Sequence, residues 1–248
     1  MRTTRSCWSL AAPVAAMLAF ALVTSSVARA DGQFPTVSPD GLQLVKSTDH
    51  GAVYVKQGAT FSQYRQIGFL ECYVQFAKDW AQDYNENEAD LSMQVTPEDQ
   101  TRIKNWLSAE FNKVFVDELG KNGDFQIVTS QAAGVLMLRP ALLNVVVTAP
   151  TTDSPSPSVD LVASAGQMTL MLELWDGGTS TLLARVIDGE ADTSFGGMAH
   201  QANQVTNEAA ANTILKSWAD RLRKALDAAR AAAPSPAPPA APAPAVVN

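Results

Sequence analysis

Residues 167–188, QMTLMLELWDGGTSTLLARVID, commit the chain to an antiparallel sheet. Met168, Leu170, Leu172 and Leu174 fall at alternate positions, the period of a strand with one buried face. Asp176-Gly177-Gly178 supplies the residues a tight turn tolerates, and Leu182, Ala184 and Val186 resume the alternation on the way back. A lone hairpin is only marginally stable in water, so the remaining elements must cover its apolar face.

Those elements can be read in order. LQLV and AVYVK, separated by a polar turn at Ser47 to Gly51, form a small hairpin or two edge strands. YRQIGFLECYVQF reads as one strand, with Leu70, Cys72, Val74 and Phe76 on one face and Ile67, Phe69, Glu71 and Tyr73 on the other. Thr96 is a good N-cap, Pro97 suits the first helical position, and Glu98 with Asp99 complements the positive end of the helix dipole. That helix runs to Leu119, with Ile103, Leu107, Phe111, Val114 and Phe115 on one face, Trp106 at its margin and Gly120 as the stop. FQIVTS and GVLMLRPALLNVVVTA are strands, with Pro140 marking a bulge or an edge, and the loop at 150–158 precedes the hairpin. A last helix over about 203–230 places Ile214, Leu215, Trp218, Leu222 and Leu226 inward and Arg221, Arg223 and Lys224 toward water. The expected class is α+β, a two-layer arrangement in which an antiparallel or mixed sheet of about five strands carries two helices on one face.

The termini set the compartment. Arg2 and Arg5, the apolar run from Leu10 to Val23 and Ala28-Arg29-Ala30 form the three-part pattern of a cleavable signal peptide over residues 1–30. Secretion to the periplasm follows as the expected localisation. The apolar run falls short of the roughly 20 residues needed to span a bilayer, so no membrane anchor is expected after cleavage. Residues 31–40 read as a linker, 41–230 as one domain, and 231–248, rich in Ala and Pro, as a disordered tail. Cys7 leaves with the signal, which makes Cys72 the lone thiol of the mature chain, inert among aliphatic neighbours. The formal charge of −7 becomes about −10 once the signal's three arginines are removed, which argues against nucleic acid as a partner.

The most site-like stretch is DWAQDYNENEADLS, residues 79–92. Asp83, Asn85 and Asn87 occupy the first three ligand positions of a helix-loop-helix calcium loop. Position 6 is then Glu88 where glycine is needed, and position 12 is Gln94 where a bidentate glutamate is needed. The stretch therefore reads as a solvated acidic loop leading into a helix, with Asp83, Asn85, Asn87, Glu88 and Asp90, together with Glu86, as weak calcium candidates. Asp188, Glu190 and Asp192 alternate after the hairpin and would share a strand face, as paired catalytic acids do. Nucleophilic hydrolysis lacks a signature, because His50 and His200 are the only histidines and neither lies in a recognisable motif. Two histidines and one thiol make no conventional zinc site, and Gly196-Gly197 lacks the surroundings of a phosphate loop. No catalysis and no cofactor are expected.

Five segments together carry a resemblance: DGLQLVKSTDHGAVYVKQGATFSQYRQIGF, FAKDWAQDYN, LMLRPALLNVVV, LELWDGGTSTLLARVIDGEAD and LKSWADRLRKALD. They are similar to the bacterial family filed as domain of unknown function 3313, over residues 40–229. The resemblance implies a secreted or lipid-anchored envelope protein and carries no site residues over. This chain lacks the lipobox cysteine of the tethered members. The expected function is thus a non-enzymatic domain of the cell envelope that binds a protein partner, with Trp80 and Trp175 as an exposed aromatic edge. The rivals are a small-ligand or weak calcium-binding periplasmic protein using the acidic loop, and a hydrolase using Asp188, Glu190 or Asp192.

Overall fold

A computed structural model describes residues 34–121, 124–148, 161–162, 166–191, 200–201 and 204–232. The expected signal peptide, most of the expected linker, the expected loop at 150–158, residues 233–248 of the Ala- and Pro-rich segment, Asp192 and Gly196-Gly197 lie outside the described residues. The fold is α+β. An eight-stranded mixed sheet, more than the five strands expected, comprises β1 (Gln43–Ser47), β2 (Gly51–Val55), β3 (Gln66–Phe69), β4 (Tyr73–Phe76), β5 (Gln126–Val128), β6 (Val135–Val147), β8 (Gly166–Asp176) and β9 (Thr181–Ala191). Two short strands, β7 (Leu161–Val162) and β10 (His200–Gln201), pair apart from it. The sheet order is β1-β2-β9-β8-β6-β3-β5, with β4 beside β6 beyond the end of β3. The β8–β9 hairpin read from the sequence is the centre of this sheet.

Three α-helices accompany it: α1 (Trp80–Asn87), α2 (Pro97–Leu119) and α3 (Gln204–Ala231). Helix α2 starts where its sequence says. Thr96 Oγ1 accepts from the Asp99 amide at 3.1 Å, and the Asp99 carboxylate accepts from the Thr96 amide at 3.0 Å, a complete capping box. Burial opposes ionisation of Asp99, but those bonds to Thr96 and the nearby Arg102 outweigh it and hold its carboxyl below the usual range. Helices α2 and α3 run side by side in the same direction, with Arg102 and Asn207 near their beginnings on one crevice and Glu118 paired to Arg223 near their ends. Arg223, expected toward water, is instead held in this ion pair and in others to Asp220 and Asp227.

One core lies between the helices and the sheet. Phe111, Phe115, Leu136, Leu138, Leu142, Leu172 and Leu215 are fully buried within it. Even-numbered positions of β8 face the helices, as the alternation required. On the return strand a register shift opposite Leu174 and Trp175 sends Leu183 into this core, while Leu182 packs on the other face. The hairpin tip is fastened by Asp176, which accepts from Gly178, Thr179 and, at 2.5 Å, the Tyr64 hydroxyl.

Two expectations fail for local reasons. The stretch from Ile67 to Phe76 is not one strand: it breaks between Phe69 and Tyr73, and the alternation slips by one residue across the break. Ile67, Cys72 and Val74 therefore share the buried face, and Leu70, expected beside Cys72, is 45% exposed. Pro140 marks neither an edge nor a bulge, since β6 is central and Pro140 pairs in register with Leu172. The Leu138 carbonyl accepts from Leu70, so Pro140, two residues on, turns its N–H-less nitrogen toward the break between β3 and β4, where no ladder bond is lost. The irregularity comes later, where Asn144 takes a φ of 52°.

Candidate functional site

The acidic stretch does not form a calcium loop, because half of it is helix. Asp83, Asn85 and Asn87 lie in α1, which starts after Asp79 at a φ of 60°. The two asparagine side chains already have partners: Asn85 bonds the Val95 amide at 2.7 Å and its carbonyl at 3.0 Å, strapping α1 to the start of α2, and Asn87 donates back to the Asp83 carbonyl. Glu88 accepts from the Asp90 amide, and Asp90 accepts from the hydroxyl and amide of Ser92, which lower its pKa. Glu86 accepts from Gln82. Among the described residues, no three of His, Cys, Asp and Glu come close enough to hold a metal ion.

The paired acids of β9 are engaged as well. Asp188 accepts from the Trp218 indole at 2.9 Å and pairs with Arg221 at 3.0 Å, and Glu190 pairs with the same guanidinium. Two carboxylates sharing one arginine tie α3 to the sheet. His50 is an exposed turn residue whose carbonyl accepts from Gly189. Cys72 is buried, and burial pushes its thiol up to about 12. A thiol reagent at pH 8 is expected to leave the native protein unlabelled and to label it stoichiometrically in guanidinium; rapid native labelling would contradict this packing.

Trp80, expected at an exposed edge, is only 7% exposed. It stacks on Phe76 at 4.4 Å and donates its indole N–H to the Val147 carbonyl at 3.1 Å, so it anchors α1 to the sheet end. Trp175 lies elsewhere, half-buried on the sheet face opposite the helices. That face has two halves. Over β1, β2 and β9 the segment Phe34–Leu42 covers it: Phe34, Leu42 and Leu44 pack with Tyr54, Leu182 and Ile187, and the Tyr54 hydroxyl donates to the Pro35 carbonyl at 3.0 Å. Over β8, β6, β3 and β4 neither helix lies against it, because α2 and α3 occupy the other side.

At the line between the halves stands Glu173, only 6% exposed. Arg185, directly across the hairpin, donates to its Oε1 from Nε at 3.0 Å and from Nη2 at 2.7 Å. Trp175 Nε1 donates to Oε2 at 3.2 Å, and Arg139 of β6 approaches the same oxygen to 3.6 Å. Arg185 reaches on to Asp40 of the covering segment. Burial works against the charge on Arg185, but its bonds to Glu173 and Asp40 more than compensate and raise its pKa. Beyond this row the half that neither α2 nor α3 covers presents Tyr73, 60% exposed, together with Leu70, Met171 and the Arg139 guanidinium, while Val135, Met137 and Ala141 on the same side of β6 are buried. Sequence reasoning found Trp175 but missed Glu173, Arg185 and Arg139. The hairpin register, which sets residue 173 opposite 185, was the signal that could have found the first two.

Comparison with known proteins adds a family and a distant likeness. The profile of the family described as "Protein of unknown function (DUF3313)" matches residues 35–222. None of the curated proteins matches the chain. Among solved structures, the chain is similar to a PelC dodecamer from Paraburkholderia phytofirmans, at 8% identity and a TM-score of 0.35, over 68% of this chain and 96% of that one. A variant of the same PelC aligns at 7% identity and a TM-score of 0.35, over 70% of this chain and 97% of that one. Among the described residues, no helix is long and apolar enough to cross a membrane.

Proposed function

The chain belongs to the DUF3313 family, and from that premise we propose that it is a non-enzymatic domain of the bacterial cell envelope that binds a protein partner through the uncovered half of its sheet. The observation that carries this reading is the combination of exposed aromatic and aliphatic side chains with a fixed ionic row beneath them. Tyr73 and Leu70 offer apolar contact at low entropic cost, and Trp175 is held in place by its bond to Glu173. The Arg139 guanidinium, 63% exposed, lies 3.6 Å from Glu173 and has donors left for an acidic group. The partner surface that fits is apolar with one carboxylate set among its contacts. The signal-like residues 1–30 support an encounter outside the cytoplasm.

The test is in-cell crosslinking with a photoreactive residue at position 73, followed by mass spectrometry. One abundant envelope protein should be captured, and Leu70→Glu with Arg139→Gln should abolish the adduct while the protein stays folded, as its melting transition shows. A control crosslinker at Lys216, exposed on α3 on the opposite side, should capture nothing. If position 73 yields no more than position 216 does, the binding face is wrong.

A further inference from the structure

Beneath the first turns of α2 and α3, on the side of the sheet away from the proposed partner face, lies a cavity of about 270 Å³. Its walls are Ile103, Trp106 and Leu107 from α2, Val145 from the end of β6, Met168 from β8 and Ile214 from α3. Ala210 and Ala211 make the room, since α3 presents only methyl groups there, whereas Ile214, Leu215 and Trp218 on the following turns are larger. Protein interiors close to a packing density that leaves few voids larger than a water molecule, so a space of this size is a feature of the site. Water does not suit it. A buried water needs two to four polar partners, and the Ile, Leu, Val, Ala and Met side chains that make most of the wall supply none; the polar side chains of the lining are Arg102, Gln167, Asn207 and Glu208, so the apolar part suits an apolar guest.

We infer that this cavity binds the hydrocarbon chain of a single-chain amphiphile. Its size sets an upper limit, for it falls just below the roughly 300–1,000 Å³ of sites that enclose drug-sized ligands and leaves no room for a second chain. Its polar lining comes from Arg102, Gln167, Asn207 and Glu208, and Arg102 is already ion-paired to Asp99 at 2.6 Å. Among the described residues no cation is left over there to select an anionic head group, so recognition rests on the chain. This site is independent of the partner face, and neither reading needs the other.

The experiment titrates the protein with a terminally brominated undecanoate below its micellar concentration and follows tryptophan fluorescence. Bromine quenches indole on contact, and Trp106 lines the cavity while Trp80, Trp175 and Trp218 do not. Saturable quenching is expected in the wild type. In Trp106→Phe the quenching should vanish while calorimetry still records binding. Ala211→Leu should weaken binding by at least about tenfold, because the added carbons occupy the place of the guest's methylenes. Linear quenching, or equal quenching with and without Trp106, overturns the proposal. Should Ala211→Leu fail to fold, the Trp106→Phe comparison decides alone.

Discussion

Replacing Phe111 by Ala is expected to cost about 3–5 kcal/mol of stability, the range for truncating a fully enclosed aromatic ring. Phe111 has no solvent exposure and stacks on Phe115 with ring centres 3.9 Å apart, in the middle of α2 where the helix meets the sheet. Removing the ring deletes transfer energy, the aromatic contact and the support under Phe115. The sheet below is tied by ten registered pairs between β8 and β9, so it has little freedom to collapse into the space. A domain of this size has about 5–15 kcal/mol in all, so the loss is a large share of its stability. Urea unfolding measures it as a fall in midpoint at unchanged slope. Phe111→Leu should recover more than half of the loss, and Trp106→Ala, at the margin of the same helix, should cost clearly less than Phe111→Ala. A loss below about 1 kcal/mol for Phe111→Ala would mean that α2 is not the lid of the core.

The helix that makes this prediction was legible in the sequence from cap to stop, and so was the central hairpin, because both are written in local periodicity and turn chemistry. What was illegible had non-local causes. Helix α1 begins at a left-handed aspartate without a side-chain cap, has a single buried residue, Trp80, and so shows neither a start signal nor an apolar stripe. The slip between Phe69 and Tyr73 is imposed by β6, which takes β3 and β4 as successive parallel partners at Val135–Leu138 and Ala141–Val145. Parallel pairing of that sort leaves no mark in either strand. The candidate site suffered similarly, in that DWAQDYNENEADLS attracted notice by composition while its side chains serve their own backbone. Glu173, a lone acid among leucines, carries no local mark of its burial. Its character comes from three strands meeting, with Arg185 twelve residues away and Arg139 on a strand paired to its other side.

That meeting defines the second large effect. Arg185→Met should destabilise the protein by about 3 kcal/mol, because it leaves the Glu173 carboxylate in a nearly closed site with only the Trp175 indole and the distant Arg139 to solvate it. It also releases Asp40, and with it one fastening of the segment that covers β1, β2 and β9. The pair itself is worth far less than its disruption. Desolvating two charges offsets most of their attraction, so Glu173→Leu combined with Arg185→Met should regain most of the stability lost by the single variant, as apolar replacements of buried ion pairs commonly do. A double-mutant cycle read by urea unfolding separates the two terms. If the double variant were as unstable as the sum of its singles, the row would be holding the sheet by its charges. If instead stability returns while crosslinking at position 73 is lost, the row's contribution is to orient Arg139 and Trp175 for the partner, which is what a buried charge on an otherwise apolar sheet face is expected to do for a binding surface.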